Sequence, residues 1–219
     1  MRKSLFVAAA AIAGALLTTA PAMAASTPVL TLGSTGGTAV AVGDSVSAGL
    51  VSGTKATIFT SATGTTGITC TVASFVASIT SNPTAPGTAD ENVNTLSVST
   101  CTSNIVGVTK VNSVTLQNEP YAATLSDSSD TITITGTSSA PIQSTVSLAT
   151  VLGSVNCVYQ ANGDTLTGTA SNTGNTISLS NQQFNLTSGP GVCPKNGFLT
   201  AKVGAVVDTT QGSQTVFVN

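Results

Sequence analysis

Apolar residues in this chain recur at every second position. Thr95-Leu96-Ser97-Val98-Ser99, Thr131-Ile132-Thr133-Ile134-Thr135, Thr165-Leu166-Thr167-Gly168-Thr169 and Thr176-Ile177-Ser178-Leu179-Ser180 set apolar residues between hydroxyl residues. A strand turns successive side chains to opposite faces, so this alternation predicts strands with one apolar and one polar face. Further strands are expected over 28–32, 38–42, 55–60, 67–77, 105–116, 121–125, 143–149, 154–160, 198–203 and 214–218, where β-branched residues suit a pleated surface. The four alternating runs start at unequal spacings, so they form no fixed repeat.

Turn signals punctuate the runs. Asn162-Gly163 stands between Cys157-Val158-Tyr159 and Leu166 and predicts a type I′ hairpin, whose two central residues need positive φ. Asn82-Pro83 and Pro86-Gly87 open a polar loop expected to reach about Asn94. After the first 24 residues no stretch keeps an apolar helical stripe for three turns. Many short strands with frequent turns predict an all-β fold, either an antiparallel β-sandwich, Ig-like or similar, or a barrel. The expected organisation is a single β domain over 25–219, with two small β domains split near 126 as the alternative.

The first 24 residues read as an export signal. Arg2 and Lys3 precede the apolar run Leu5 to Leu17, and Ala22-Met23-Ala24 supplies the small residues of a cleavage site, so cleavage is expected after Ala24, leaving Ala25 first. The single arginine before the run favours the general secretory route. No later segment approaches the roughly 20 apolar residues of a membrane-spanning helix, so the mature chain is expected to be secreted.

Charge narrows the partners. Without Arg2 and Lys3 the chain keeps Lys55, Lys110, Lys195 and Lys202 against eight acidic residues, a net charge of about −4. Such a surface cannot neutralise a run of phosphates, which excludes nucleic acid and disfavours anionic membrane. Weak charge repulsion permits self-association or contact with a cell surface.

Cys70, Cys101, Cys157 and Cys193 form an even set in a chain expected to be exported, which points to two disulfides. Local pairing favours Cys70 with Cys101 and Cys157 with Cys193. Each bridge would close a loop of about 30 to 40 residues and stabilise by roughly 3 to 4 kcal/mol. In Gly189-Pro-Gly-Val-Cys193-Pro-Lys195-Asn-Gly-Phe198, Lys195 could activate a thiol, but a disulfide leaves no thiol to activate.

The chain contains no histidine, which removes imidazole-assisted catalysis and most zinc and copper sites. Ser52-Gly53-Thr54-Lys55 has the spacing of serine acyl-enzymes, but that mechanism needs a helix and this stretch precedes a strand. Asp90-Glu91 and Asp127 with Asp130 fall in expected loops, where carboxylates are solvated. Asn185-Leu186-Thr187 matches a glycosylation sequon. No catalytic residue, cofactor or metal ligand is expected, and an enzyme is not.

The stretch Ile177-Ser-Leu-Ser-Asn-Gln-Gln-Phe184, then Cys193-Pro194, Phe198-Leu-Thr-Ala201 and Val216-Phe-Val218, resembles an uncharacterised family of small secreted actinobacterial β proteins. The resemblance covers roughly the last 45 residues and implies export, β structure and a cysteine crosslink, but no catalytic residues. An acidic, disulfide-stapled sandwich is also similar in general character to neocarzinostatin-type apoproteins, whose cysteine spacings and length differ. Three roles remain in view: a non-catalytic envelope or extracellular protein acting by binding or structure, a carrier of a small apolar ligand in a β-sandwich cleft, and a self-assembling pilin-like subunit.

Overall fold

The computed structural model describes residues 26–219, whose regular secondary structure is almost all strand. The expected signal segment 1–24 and its cleavage point at Ala24 and Ala25 lie outside the described residues. In chain order the strands are β1 (Leu30–Leu32), β2 (Thr38–Ala39), β3 (Ser45–Gly49), β4 (Ala56–Phe59), β5 (Gly67–Ser81), β6 (Thr88–Ser103), β7 (Val108–Gln117) and β8 (Tyr121–Ser126). They continue as β9 (Thr131–Thr135), β10 (Gln143–Thr150), β11 (Gly153–Ala161), β12 (Thr165–Ser171), β13 (Thr176–Ser188), β14 (Asn196–Val203), β15 (Val207–Asp208) and β16 (Gln214–Val218). Among the described residues no helix is long and apolar enough to cross a membrane.

Of the folds the alternation allows, the chain adopts the barrel: eight antiparallel strands close on themselves, with further strands outside. The closure follows chain order. β4 pairs β5 and β5 pairs β6; β7 and β8 share the next edge, β10 and β9 follow, then β11 and β12, which both pair β13. β13 pairs β14, and β14 returns to β4. Closing the sheet satisfies edge groups that an open sheet would expose.

Three staves of this barrel are broken at mid-height. β7 and β8, β9 and β10, and β11 and β12 each run on from one another, and the breaks are level because Gln143 pairs both Gln117 and Gln160. The sequence supplies the breakers: Pro120 and Pro141 lack an N–H for the ladder, and Asn162-Gly163-Asp164 forms a tight turn. Side chains take up groups freed along this belt. Glu119 accepts from Leu96 N, Gln182 Oε1 accepts from Thr167 N at 2.7 Å, and Asn118 Nδ2 donates to Pro141 O at 2.8 Å.

Asn162-Gly163 therefore does not make the expected hairpin. β11 and β12 never pair with each other, and the positive φ values fall at Gly163 and Asp164 instead of at Asn162 and Gly163. The polar loop expected to reach Asn94 is shorter too, because β6 begins at Thr88. β3 and β15 are strands the alternation did not single out; both are short, and β15 carries the buried Asp208.

The two barrel ends differ. At one end β1 pairs β2 and β16, and Val29 N and Ala85 N bond across to Pro83 O and Thr27 O, so terminal strands cap the opening. Val29, Leu30 and Val40 are fully buried beneath this cap. At the other end lie the turn loops at 60–66, 104–107, 151–152 and 189–195, with both disulfides beside them. Val106, Val151 and Leu152 are exposed there at two turn tips brought together by the Val108–Thr150 pairing.

Candidate binding site in the barrel lumen

The period-two pattern decides what faces inward. Ala89, Glu91 and Val93 of β6, Ala123 and Leu125 of β8, Ile132 and Ile134 of β9 and Leu166 of β12 are buried, while the residues between them are more exposed. An eight-stranded barrel is just wide enough for its side chains to fill, or to hold one small ligand. Here filling is incomplete. A cavity of ≈110 Å³ occupies the middle of the lumen, where the wall offers Ala56, Ala73 and Ala201 in place of larger residues.

Two smaller cavities continue it along the axis. One of ≈50 Å³ lies toward the disulfide end and shares Val98, Leu116, Phe184 and Leu199 with the central space. The other, ≈30 Å³, lies toward the cap and shares Phe75, Glu91 and Ile177. Phe75, Leu96, Leu179 and Leu199 line the central cavity and are only half-buried, as expected of side chains facing unfilled space. Close packing normally leaves few voids larger than a water molecule in a core, so this row of cavities is a departure that calls for a reason.

Among the described residues Glu91 is the one charged residue lining either the central or the cap-side cavity. It is 7% exposed, is shared by both linings, and pairs with Ile79 of β5 and Ala123 of β8. Among the described residues nothing hydrogen-bonds its carboxyl, and burial alone pushes the group up to about 7. A buried charge without a partner is costly, so the group resists ionisation.

Several other buried polar groups are hydrogen-bonded. Tyr121 donates its hydroxyl to Gln117 O, and Tyr159 donates to Pro194 O at 2.9 Å, with burial pushing Tyr159 up to about 12. Near the cap, Asp208 is fully buried, and its Oδ1 accepts from Thr210 N at 2.8 Å and Gln211 N at 3.0 Å. Its Oδ2 has no partner among the described residues. Asp44 accepts from Ala41 N at 2.9 Å and from Gln211 Nε2 at 3.4 Å, so the two carboxylates organise the turn between β15 and β16.

The structure separates the remaining candidates from this lumen. Cys70–Cys101 and Cys157–Cys193 are both disulfides, and no free cysteine remains. Lys195 is exposed, and Gly189 is required beside the second bridge because a Cβ there would lie 2.7 Å from Cys193 Sγ. Ser52 to Lys55 form a turn closed by Thr54 N on Val51 O, with Lys55 exposed. Asp127 accepts from Gly87 N at 3.0 Å and Asp130 is exposed, so neither faces a ligand site. Asn185 lies inside β13 and donates to Asn162 at 3.1 Å.

Glu91 is the residue that sequence reasoning misplaced. Paired with Asp90 it looked like a loop carboxylate, but the two lie on opposite faces of β6, Asp90 outward and Glu91 inward. The signal was present in Thr88-Ala-Asp-Glu-Asn-Val93, where the glutamate takes the apolar register of Ala89 and Val93. No family model, curated protein or solved structure matches the chain.

Proposed function

We propose that the protein is a non-catalytic binding protein that carries a small, largely apolar ligand inside its barrel. The observation that carries this reading is the central cavity of ≈110 Å³, lined mainly by apolar side chains with Glu91, Ser74 and Ser97 among them, and flanked by smaller cavities toward both ends. Binding sites of this kind are concave, mostly apolar and fitted with few polar groups. The cavity lies in the barrel lumen, whereas the sequence suggested a cleft of a sandwich.

The outward faces support a protein that works in water. Thr131, Thr133, Thr135, Thr165, Thr167 and Thr169 face away from the lumen on β9 and β12, the reverse of the apolar-out pattern by which a barrel spans a bilayer. Two disulfides fit an oxidising compartment. Export by the general secretory route with cleavage after Ala24 completes the reading. A pilin-like subunit would need a long unpaired edge for a donor strand, and the closed wall argues against it: the sheet order ends at β2, only two residues long.

The test is native mass spectrometry of the protein isolated from its own culture fluid without organic solvent. A carrier retains a small molecule that gentle activation strips away, leaving the disulfide-bonded chain. Bare protein, together with failure to take up toluene when reloaded, would dispose of the carrier reading.

A further inference from the structure

An apolar ligand would need no carboxyl in the lumen, and Glu91 is there nonetheless. It is buried, it lines both the central and the cap-side cavity, and among the described residues its carboxyl makes no ion pair and no hydrogen bond. Neighbouring charges point elsewhere: Asp90 outward on the same strand, Lys202 outward on β14, Glu119 to Leu96 N, and Asp44 and Asp208 into the Thr210–Gln211 turn. Tyr121 of β8 spends its hydroxyl on Gln117 O. Among the described residues no group completes the carboxyl, which leaves it open to a ligand.

Resting on the carrier reading, we infer that Glu91 is the group by which the lumen recognises its ligand, and that the ligand is a small primary or secondary amine with an apolar body. An ammonium placed beside Glu91 donates to the carboxylate in a water-poor setting, where a charge-assisted hydrogen bond is strongest. The apolar body fills the central space. A cavity of about 150 Å³ holds benzene, so ≈110 Å³ with ≈50 Å³ and ≈30 Å³ beside it limits that body to a single ring or a short chain. The pair forms only where Glu91 is ionised and the amine is protonated, and burial sets the lower limit of that window near 7.

Calorimetric titration with benzylamine, benzyl alcohol and toluene, at about pH 8 and about pH 5, tests this on the intact disulfide-bonded protein and on Glu91→Gln. The expected result is that benzylamine binds at least about tenfold tighter than benzyl alcohol at the higher pH, loses that advantage at the lower pH and loses it in Glu91→Gln. Toluene should bind equally under all four conditions, which also reports that the variant is folded with its lumen intact. If toluene binds but benzylamine gains nothing at the higher pH in the unaltered protein, the assignment to Glu91 is wrong and the carrier reading stands. An amine preference that survives Glu91→Gln is likewise against it, and if neither toluene nor benzylamine binds, both fall together.

Discussion

Glu91 concentrates the tension between stability and function in one side chain. Its folded value of about 7 lies above the ordinary 4.5, so the folded state holds the proton more tightly than the unfolded chain. Stability contributed by this group is therefore fully present below about 4.5 and is lost as pH rises toward 7, by about 3 kcal/mol across that window. Urea midpoints measured at pH 5 and pH 8 should fall with rising pH in the unaltered protein and stay nearly level in Glu91→Gln. Asp44 does not mask the effect: burial pushes it up, but hydrogen bonds from Ala41 N–H and Gln211 outweigh burial and hold it below its ordinary value. Equal midpoints at both pH values would mean that Glu91 is solvated or paired. Composition alone hides this role, because two adjacent acids resemble a solvated loop; only the alternation through Ala89, Glu91 and Val93 separates them.

Among the strands, what could be read from the sequence was their existence, and what could not was their partners. Alternating residues and turn signals locate most of the wall, including β9, β12 and β16 within a residue or two at either end. They do not tell a hairpin from a jog in one continuing stave, since Asn162-Gly163 serves either geometry and the choice depends on β13 lying alongside both arms. The same limit hides the loosest joint of the barrel. β6 and β7 are consecutive and joined by a short turn, yet their register contains a single pair, Val98 with Val114, while β6 meets β5 along nearly its whole length. Unpaired amides open at low cost in free energy. Hydrogen exchange read by NMR should find the β6 amides at 99–103 that face β7 exchanging much faster than those that face β5. Uniform protection along both edges would show that the joint is closed in solution.

At the scale of the whole molecule, each end of the barrel is held by different means. The terminal strands cap one end over Val29, Leu30 and Val40, and the disulfides span 31 and 36 residues at the other. Each bridge is worth roughly 3 to 4 kcal/mol by restricting the unfolded chain. With both ends secured, the middle of the lumen can stay unfilled without the wall collapsing onto it. That account predicts the outcome of filling it. Ala201→Leu adds apolar volume to the central cavity, so thermal unfolding should show stability unchanged or raised by about 1 kcal/mol, while toluene binding disappears. A loss of several kcal/mol would mean that no such space exists.

The occupancy of the lumen is tested most directly by methyl NMR of the protein titrated with toluene. The account predicts saturable shifts at Ile132, Ile134, Leu166, Leu179 and Leu199, which line the central cavity, with Val106, Val151 and Leu152 at the exposed turn tips unmoved. Shifts confined to those turn tips, or none at all in the lumen, would contradict it.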